Sequence, residues 1–166
     1  VLLTGASLSL CGAAMQGLLR NPLADGATLG VSSGASLGAM LAILLGLPQA
    51  GSIGMAVLFA FLSLALVLFL AFALDRSLST STIILIGIVF TMFAGSLMSL
   101  MIAFSGPKLR TLTFWTLGSL TGTGYRDVLL LFCALLLCGA VLLTLGRELD
   151  ALSLGEESAR GVGVSV

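Results

Sequence analysis

The sequence predicts an all-α, polytopic membrane protein with five spanning helices. Hydrophobic residues make up 58% of the 166 positions and charged residues 8%, whereas soluble domains carry about 25% charged residues. Five apolar segments approach the roughly 20 residues that a helix needs to cross a bilayer. A chain with so few charges cannot cover a water-facing surface, and burial in lipid is therefore predicted.

The predicted spans occupy residues 1–19, 29–47, 53–74, 82–104 and 128–146, so that residues 1–146 form a transmembrane region. The first two spans carry small residues at four-residue spacing: Gly5, Ser9 and Ala13, then Gly30, Gly34 and Gly38. Because lipid supplies no hydrophobic force between helices, small residues promote association by letting backbones approach closely. We therefore expect these two helices to pack against other helices.

Two polar segments lie outside the predicted spans. Residues 105–127 contain FWTLGSL at positions 114–120, and a short helix at the membrane surface would place aromatic rings at headgroup depth; an amphipathic loop is the alternative. The tail, residues 147–166, holds six of the fourteen charged residues. It is predicted to lie outside the membrane, with Ser153 capping a short helix. The chain as a whole is expected to be a piece of a longer protein.

Several classes of chemistry find no support in the sequence. Histidine is absent, and the three cysteines fall in apolar segments without metal-ligand spacing. No glycine-rich phosphate loop with lysine is present, so the chain is expected to bind neither a metal nor ATP itself. The formal net charge is zero, which does not favour a nucleic-acid partner. No ionisable residue lies in the middle of a span, which points away from ion-coupled transport.

Four separated motifs carry a family resemblance. They are QGLLRNPLAD at residues 16–25 with GVSSGA at 30–35, LSTS at 78–81, FWTLGSL at 114–120, and LSLGEESARGVG at 152–163. In this order and spacing they resemble the FecCD family of ABC-transporter permeases, the membrane subunits of importers for ferric siderophores, haem and cobalamin. The resemblance implies a permease of about twice this length with ten spans. This chain would hold the second to sixth spans and the cytosolic loop at 147–166.

The resemblance also assigns roles to the polar segments. The tail resembles the loop that couples a permease to its ATPase, and it contributes Leu154, Gly155, Glu156, Ser158, Ala159, Arg160 and Gly161. The alternative is a solvated helix with an internal Glu156–Arg160 pair. Two turns resemble the cytosolic gate and contribute Asn21, Leu23, Ser79, Thr80 and Ser81. Helix capping alone would also explain these residues, and both roles can hold together.

A third set of residues lies within the second span. Gly30, Ser32, Ser33, Gly34 and Gly38 are predicted to line the translocation path or to pack helices together. Thr91, Ser96 and Ser99 in the fourth span are further polar candidates for the path. The alternative for each hydroxyl is a hydrogen bond to a carbonyl of its own helix.

The resemblance implies a non-enzymatic subunit of an ATP-driven importer of iron chelates, ferric siderophore or haem, in the bacterial cytoplasmic membrane. The expected partners are a second permease subunit, two ATPase subunits that use ATP and Mg, a periplasmic substrate-binding protein and the lipid bilayer. FWTLGSL favours siderophore and haem permeases. The alternatives are a cobalamin permease of the same family, an ion-coupled secondary transporter, and a structural membrane subunit without transport.

Overall fold

The computed structural model describes residues 1–118, 124–155 and 161. Helices dominate this part of the chain, and it contains no strand. The α-helices are α1 (Leu2–Leu19), α2 (Val31–Leu44), α3 (Gln49–Leu74), α4 (Thr80–Ala103), α5 (Leu109–Leu117), α6 (Tyr125–Thr144) and α7 (Gly146–Ser153), and a 3-10 turn (Gly106–Lys108) precedes α5. The predicted all-α class is therefore confirmed.

Among the described residues, four helices are long and apolar enough to cross a membrane: α1, α3, α4 and α6, with 18, 26, 24 and 20 residues. The helix in the second predicted span is shorter. α2 has 14 residues and extends about 21 Å at 1.5 Å per residue, less than the roughly 30 Å of hydrocarbon. It is short because residues 26–30 form turns before it and because Gly46, at φ 75°, follows its end.

The chain divides into two units, Val1–Asp25 with Leu120–Val166, and Gly26–Ser119. The described helices of the first unit are α1, α6 and α7, and both α6 and α7 contact α1. The second unit contains α2 to α5, with its most extensive contact between α2 and α3.

Glycines on α2 set the distance between α2 and α3. A Cβ atom at Gly34 would lie 2.8 Å from the carbonyl oxygen of Phe59, and one at Gly38 would lie 2.7 Å from the Cβ of Phe59. Both distances are shorter than real Cβ atoms tolerate, so only glycine fits at either position. Ser63, which is 3% exposed, lies against Gly34 and satisfies its own hydroxyl by donating to the carbonyl of Ala60 at 2.9 Å.

Much of the remaining surface is large and apolar. On α3, the buried positions Ser63, Val67 and Ala71 form one stripe at four-residue spacing, while Phe61 and Phe69 are 69% and 67% exposed. The same holds on α4, where Phe93 is 63% exposed. Contiguous exposure on this scale is untenable in water. It agrees with helices that face lipid or other membrane helices.

One local expectation is corrected by the structure, and the short helix expected within residues 105–127 is present. Ser153 does not begin a helix: it is the last residue of α7, and its hydroxyl donates to the carbonyl of Asp150 at 2.7 Å. The short helix after α4 exists but covers Leu109–Leu117, so it begins earlier than the FWTLGSL motif. Gly118, at φ 73°, ends this helix within the motif.

The α2–α3 contact predicts a specific destabilisation. Gly38→Leu should lower the stability of the full-length permease by about 3 kcal/mol, since a side chain there forces two helix backbones apart. The measurement is thermal unfolding in detergent at a fixed scan rate. Gly54→Leu is the matched control, because a Cβ atom at Gly54 on α3 meets nothing within 4 Å. Equal melting temperatures for the two variants would show that the contact does not limit stability.

Candidate functional site

The first predicted gate turn is closed by the backbone itself. Arg20 follows α1 at φ 49°, in the left-handed region. Its N–H donates to the carbonyl of Gly17 at 3.3 Å, and the N–H of Asn21 donates to that of Gln16 at 3.2 Å. This pair of bonds is a Schellman motif, which satisfies carbonyls that the end of a helix would otherwise leave without partners.

Asn21 then organises the next turn. Its side-chain Oδ1 accepts from the N–H of Leu23 at 2.9 Å, and its carbonyl accepts from the N–H of Ala24 at 3.0 Å. Proline at the second position of such a turn presets its φ angle. The turn buries Ala24 at 2% exposure and leaves Leu23 87% exposed. Asn21 therefore organises the turn that follows α1, and Leu23 presents an exposed apolar side chain there.

The second predicted gate turn is centred on Asp75, a residue absent from the predicted site. Its Oδ1 accepts from the N–H and hydroxyl of Ser77 at 2.9 and 2.6 Å. Its Oδ2 accepts from the hydroxyl of Thr82 at 3.1 Å and the N–H of Ser79 at 3.4 Å. One carboxylate thus connects the end of α3 to the start of α4.

Ser79 caps α4 in the same network. Its hydroxyl accepts from the N–H of Thr82 at 3.3 Å and lies 2.8 Å from the Thr82 hydroxyl. Thr80 begins α4, and Ser81 is exposed in its first turn. Leu78 sits between these groups at φ 50°, a conformation that costs a non-glycine residue about 1 kcal/mol. The bonds to Asp75 hold the turn closed in spite of that cost.

Hydrogen bonding sets the acidity of Asp75. The hydroxyl of Ser77 contributes most, followed by Ser79 and the backbone N–H of Ser77, and together they lower the pKa of Asp75 well below its ordinary value of 3.8. A carboxylate that accepts several hydrogen bonds is stabilised in its ionised form. The turn therefore keeps its negative charge, and its closed geometry, at any pH near neutrality.

The segment before α2 is held by α4. The hydroxyl of Thr91 donates to the carbonyl of Ala27 at 3.0 Å, and Gly87 faces the carbonyl of Thr28 so closely that no side chain would fit. Gly30 precedes α2 at φ 73° with the ring of Phe90 against it. Close approach to an adjacent element thus explains glycine at both positions.

The hydroxyls of the predicted path fall into different surroundings. On α2, Ser32 is exposed, whereas Ser33 is buried at 9% exposure. On α4, Ser96 and Ser99 are exposed and donate to the carbonyls of Met92 and Gly95, each at 3.0 Å. These two hydroxyls therefore bond within their own helix, and Thr91 bonds a different segment.

A lysine that the sequence analysis did not select closes the other end of α2. The Nζ of Lys108 donates to the carbonyls of Ile43 and Leu44 at 3.0 and 2.7 Å, and Gly46 and Leu47 complete a second Schellman motif on Ile43 and Ala42. A cation at a helix C-terminus also interacts favourably with the helix dipole. No local pattern connects Lys108 with residues more than sixty positions earlier, so only the fold identifies it.

The predicted coupling segment begins where α7 ends. Leu154 follows α7 and is 77% exposed, and Gly155 has φ 111°, a backbone conformation that other residues rarely adopt. Gly161 is helical and exposed. Glu156, Ser158, Ala159 and Arg160 lie outside the described residues.

Comparisons with known proteins place the whole chain in context. The model of the FecCD transport family matches residues 1–166. The chain is 46% identical to the uncharacterized ABC transporter permease protein YvrB of Bacillus subtilis, over 99% of this chain and 48% of that protein. It is 36% identical to the molybdate import system permease protein MolB of Haemophilus influenzae, over 99% and 49%. It is also 36% identical to the cobalamin import system permease protein BtuC of Halobacterium salinarum, over 98% and 44%.

A solved structure extends the similarity to the fold. An inward-facing ABC transporter assigned to the metal-chelate type superposes with a TM-score of 0.89 at 37% identity. The match covers 99% of this chain and 52% of that chain. The chain therefore spans about half the length of the proteins that it matches.

The Asp75 network predicts that the α3–α4 turn opens when the charge of the carboxylate is lost, by acidification or by substitution. Because the folded-state pKa of Asp75 lies below 3.8, its contribution is complete above that pH and is lost as the pH falls below it. Asp75→Asn should speed amide hydrogen exchange at Ser77 and Ser79 severalfold at neutral pH. Arg76→Gln, one position along, is the control and should leave exchange unchanged. Equal protection in wild type and Asp75→Asn would mean that the carboxylate does not hold the turn.

Proposed function

Because the chain belongs to the FecCD transport family, we propose that it is part of the permease subunit of an ATP-driven importer of iron chelates. The subunit would form the translocation path across the bacterial cytoplasmic membrane. A second permease subunit, two ATPase subunits that use ATP and Mg, and a periplasmic binding protein would complete the importer. The chain itself would carry out no hydrolysis.

One observation carries this proposal: the similarity extends over essentially the whole chain in both sequence and fold. A match at 37% identity and a TM-score of 0.89 over 99% of the chain involves every described helix rather than a single motif. Similarity of this extent supports an ABC permease over an ion-coupled transporter or a structural membrane subunit. The sequence adds that no charged residue lies in the interior of a candidate span, as expected where energy enters from another subunit.

The two polar turns suit a gate that is closed by local hydrogen bonds. The side chain of Asn21 holds a turn, that of Ser79 caps α4, and Leu23 offers an exposed apolar side chain. In the proposed function, the turns at Asn21–Leu23 and Ser79–Ser81 close the cytosolic end of the path. Capping and gating are compatible, because a hydrogen-bonded turn holds its side chains at defined positions.

The tail after α7 suits coupling to an ATPase. Gly155 lets the chain turn sharply after α7, which leaves Leu154 exposed. In the proposal, Glu156, Ser158, Ala159, Arg160 and Gly161 follow this turn and rest on the ATPase. Nucleotide binding there would move the segment and thereby shift the packing of the spanning helices between two states.

Among possible cargoes, iron chelate is our proposal. The similar solved structure is assigned to a metal-chelate type, and the FWTLGSL motif resembles siderophore and haem permeases. Two similar permeases are named for molybdate and cobalamin, and these two cargoes are the competing assignments. The three cargoes differ greatly in size, from a small oxyanion to a bulky corrinoid, so transport can discriminate them directly.

The cargo prediction concerns the full-length permease reconstituted in proteoliposomes with its ATPase and binding protein. Radiolabelled ferric siderophore or haem should accumulate only when ATP is enclosed with the ATPase, and a tenfold excess of unlabelled cobalamin or molybdate should not compete. An ATPase variant that cannot hydrolyse ATP is the control. Uptake of cobalamin or molybdate instead would reassign the cargo, and uptake driven by an ion gradient without ATP would overturn the importer proposal.

The coupling prediction rests on the backbone of Gly155. Gly155→Ala should reduce substrate-stimulated ATP hydrolysis several-fold, because a side chain at φ 111° strains the turn and displaces the segment that follows. Gly146→Ala is the matched control, since it lies at the start of α7, has no positive φ, and meets nothing within 4 Å. Normal coupling in Gly155→Ala would show that this turn does not position the ATPase contact.

A further inference from the structure

A cavity lies within the second unit, where α2 ends, α3 begins and α5 crosses them. Its volume is about 370 Å³, which falls within the range of about 300–1,000 Å³ typical of small-molecule sites. Ile43 and Leu47 supply an apolar wall. The polar side chains are Gln49 and Ser52 from the first turn of α3, Lys108, and Thr111 and Trp115 from α5.

The topology places this cavity at the edge of the hydrocarbon. α3 and α4 are candidate spans joined by a short turn, so the start of α3 and the end of α4 lie at the same end of the second unit. The cavity is at that end. Trp115 is 40% exposed there, and tryptophan favours the level of the lipid headgroups.

Lys108 brings a positive charge that no carboxylate neutralises among the described residues. Two of its three ammonium protons are used by the carbonyls of Ile43 and Leu44. Carbonyl groups carry no net charge, so these bonds do not neutralise the ammonium group, which lies in a half-buried position. Charge-assisted hydrogen bonds to phosphate are strong where water is partly excluded.

Each of the other polar side chains that line the cavity has a hydrogen-bond donor, including the amide of Gln49. Ser52 and Thr111 have hydroxyl groups, and the indole of Trp115 is a donor only. A cavity lined by both hydrogen-bond donors and apolar side chains fits an anion that is attached to hydrocarbon. We propose that this cavity binds the phosphate of an anionic phospholipid headgroup, with Lys108 as the principal contact.

The proposal is independent of the transported cargo and of the cytosolic turns. A lipid phosphate at Lys108 would contact the end of α2, the start of α3 and α5 together. It would therefore stabilise the position of α5, whose Leu112 is fully buried and which the Lys108–carbonyl bonds connect to α2. Cargo transport and lipid binding can consequently fail separately.

The test measures quenching of Trp115 fluorescence by lipid in the full-length permease. Vesicles of phosphatidylcholine would contain a minor fraction of phosphatidylglycerol brominated near the headgroup, or of phosphatidylcholine brominated at the same position. The Trp115 signal is the fluorescence of the wild type minus that of Trp115→Phe. This subtraction cancels the fluorescence of any other tryptophan in the permease. Brominated phosphatidylglycerol should quench Trp115 at a lower mole fraction than brominated phosphatidylcholine does.

Three variants separate the proposed contact from a general charge effect. Lys108→Met should weaken the preference for phosphatidylglycerol about tenfold, the effect of losing a charged hydrogen bond, and Lys108→Arg should retain most of it. Arg110→Gln is the control cation: Arg110 lies over the ring of Phe114, 5.6 Å from its centroid, and outside the cavity lining. Its removal should change the preference little.

A further variant avoids the capping role of Lys108. Ser52→Ala combined with Thr111→Val leaves the Lys108–carbonyl bonds in place and should still weaken the preference severalfold. An unchanged preference in both this variant and Lys108→Met would overturn the proposal. Recovery of Trp115 fluorescence on adding millimolar inorganic phosphate, but not chloride of equal ionic strength, would also overturn it in favour of a soluble anion.

Discussion

Backbone groups in a bilayer have no water to bond, and this constraint determines how the helices of this chain end. α1 and α2 each finish in a Schellman motif, at Arg20 and Gly46. Lys108 adds an ammonium group to the last carbonyls of α2, and Ser79 caps the start of α4. The polar side chains of these turns thus first complete helices, and any gating or binding role is built on that requirement.

Close approach of helix backbones is the second feature that determines how this chain folds, and it is also a consequence of the lipid surroundings. Because lipid offers no hydrophobic force between helices, association depends on packing area, which small residues increase by bringing backbones together. Gly34 and Gly38 bring α2 against α3, and Gly87 brings α4 against the segment that precedes α2. The large side chains are consequently turned outward, where Phe61 and Phe69 face lipid or neighbouring helices.

Hydropathy alone predicted the helical class and four of the helices to within a few residues, because apolar length is the quantity that a bilayer constrains. It predicted the second span as residues 29–47, which is longer than α2 at both ends, because the segment before α2 is held in turns by Thr91 and Gly87 on α4. Asp75 was overlooked as well, although an aspartate followed by serines two and four positions later is a readable turn signal. Lys108 had no such signal, because its partners are distant in sequence.

The charged residues of the described part of the chain lie outside the helix interiors of the candidate spans. No charged residue lies within α1 to α4, and in α6 charges occur only at its start, in Arg126 and Asp127. An electrochemical gradient acts on charges inside the membrane, so it has nothing to move within these helices. A force applied at helix ends acts on turns whose geometry depends on a few hydrogen bonds, such as those to Asp75 and Lys108. In the proposed importer, the ATPase would act at turns of this kind.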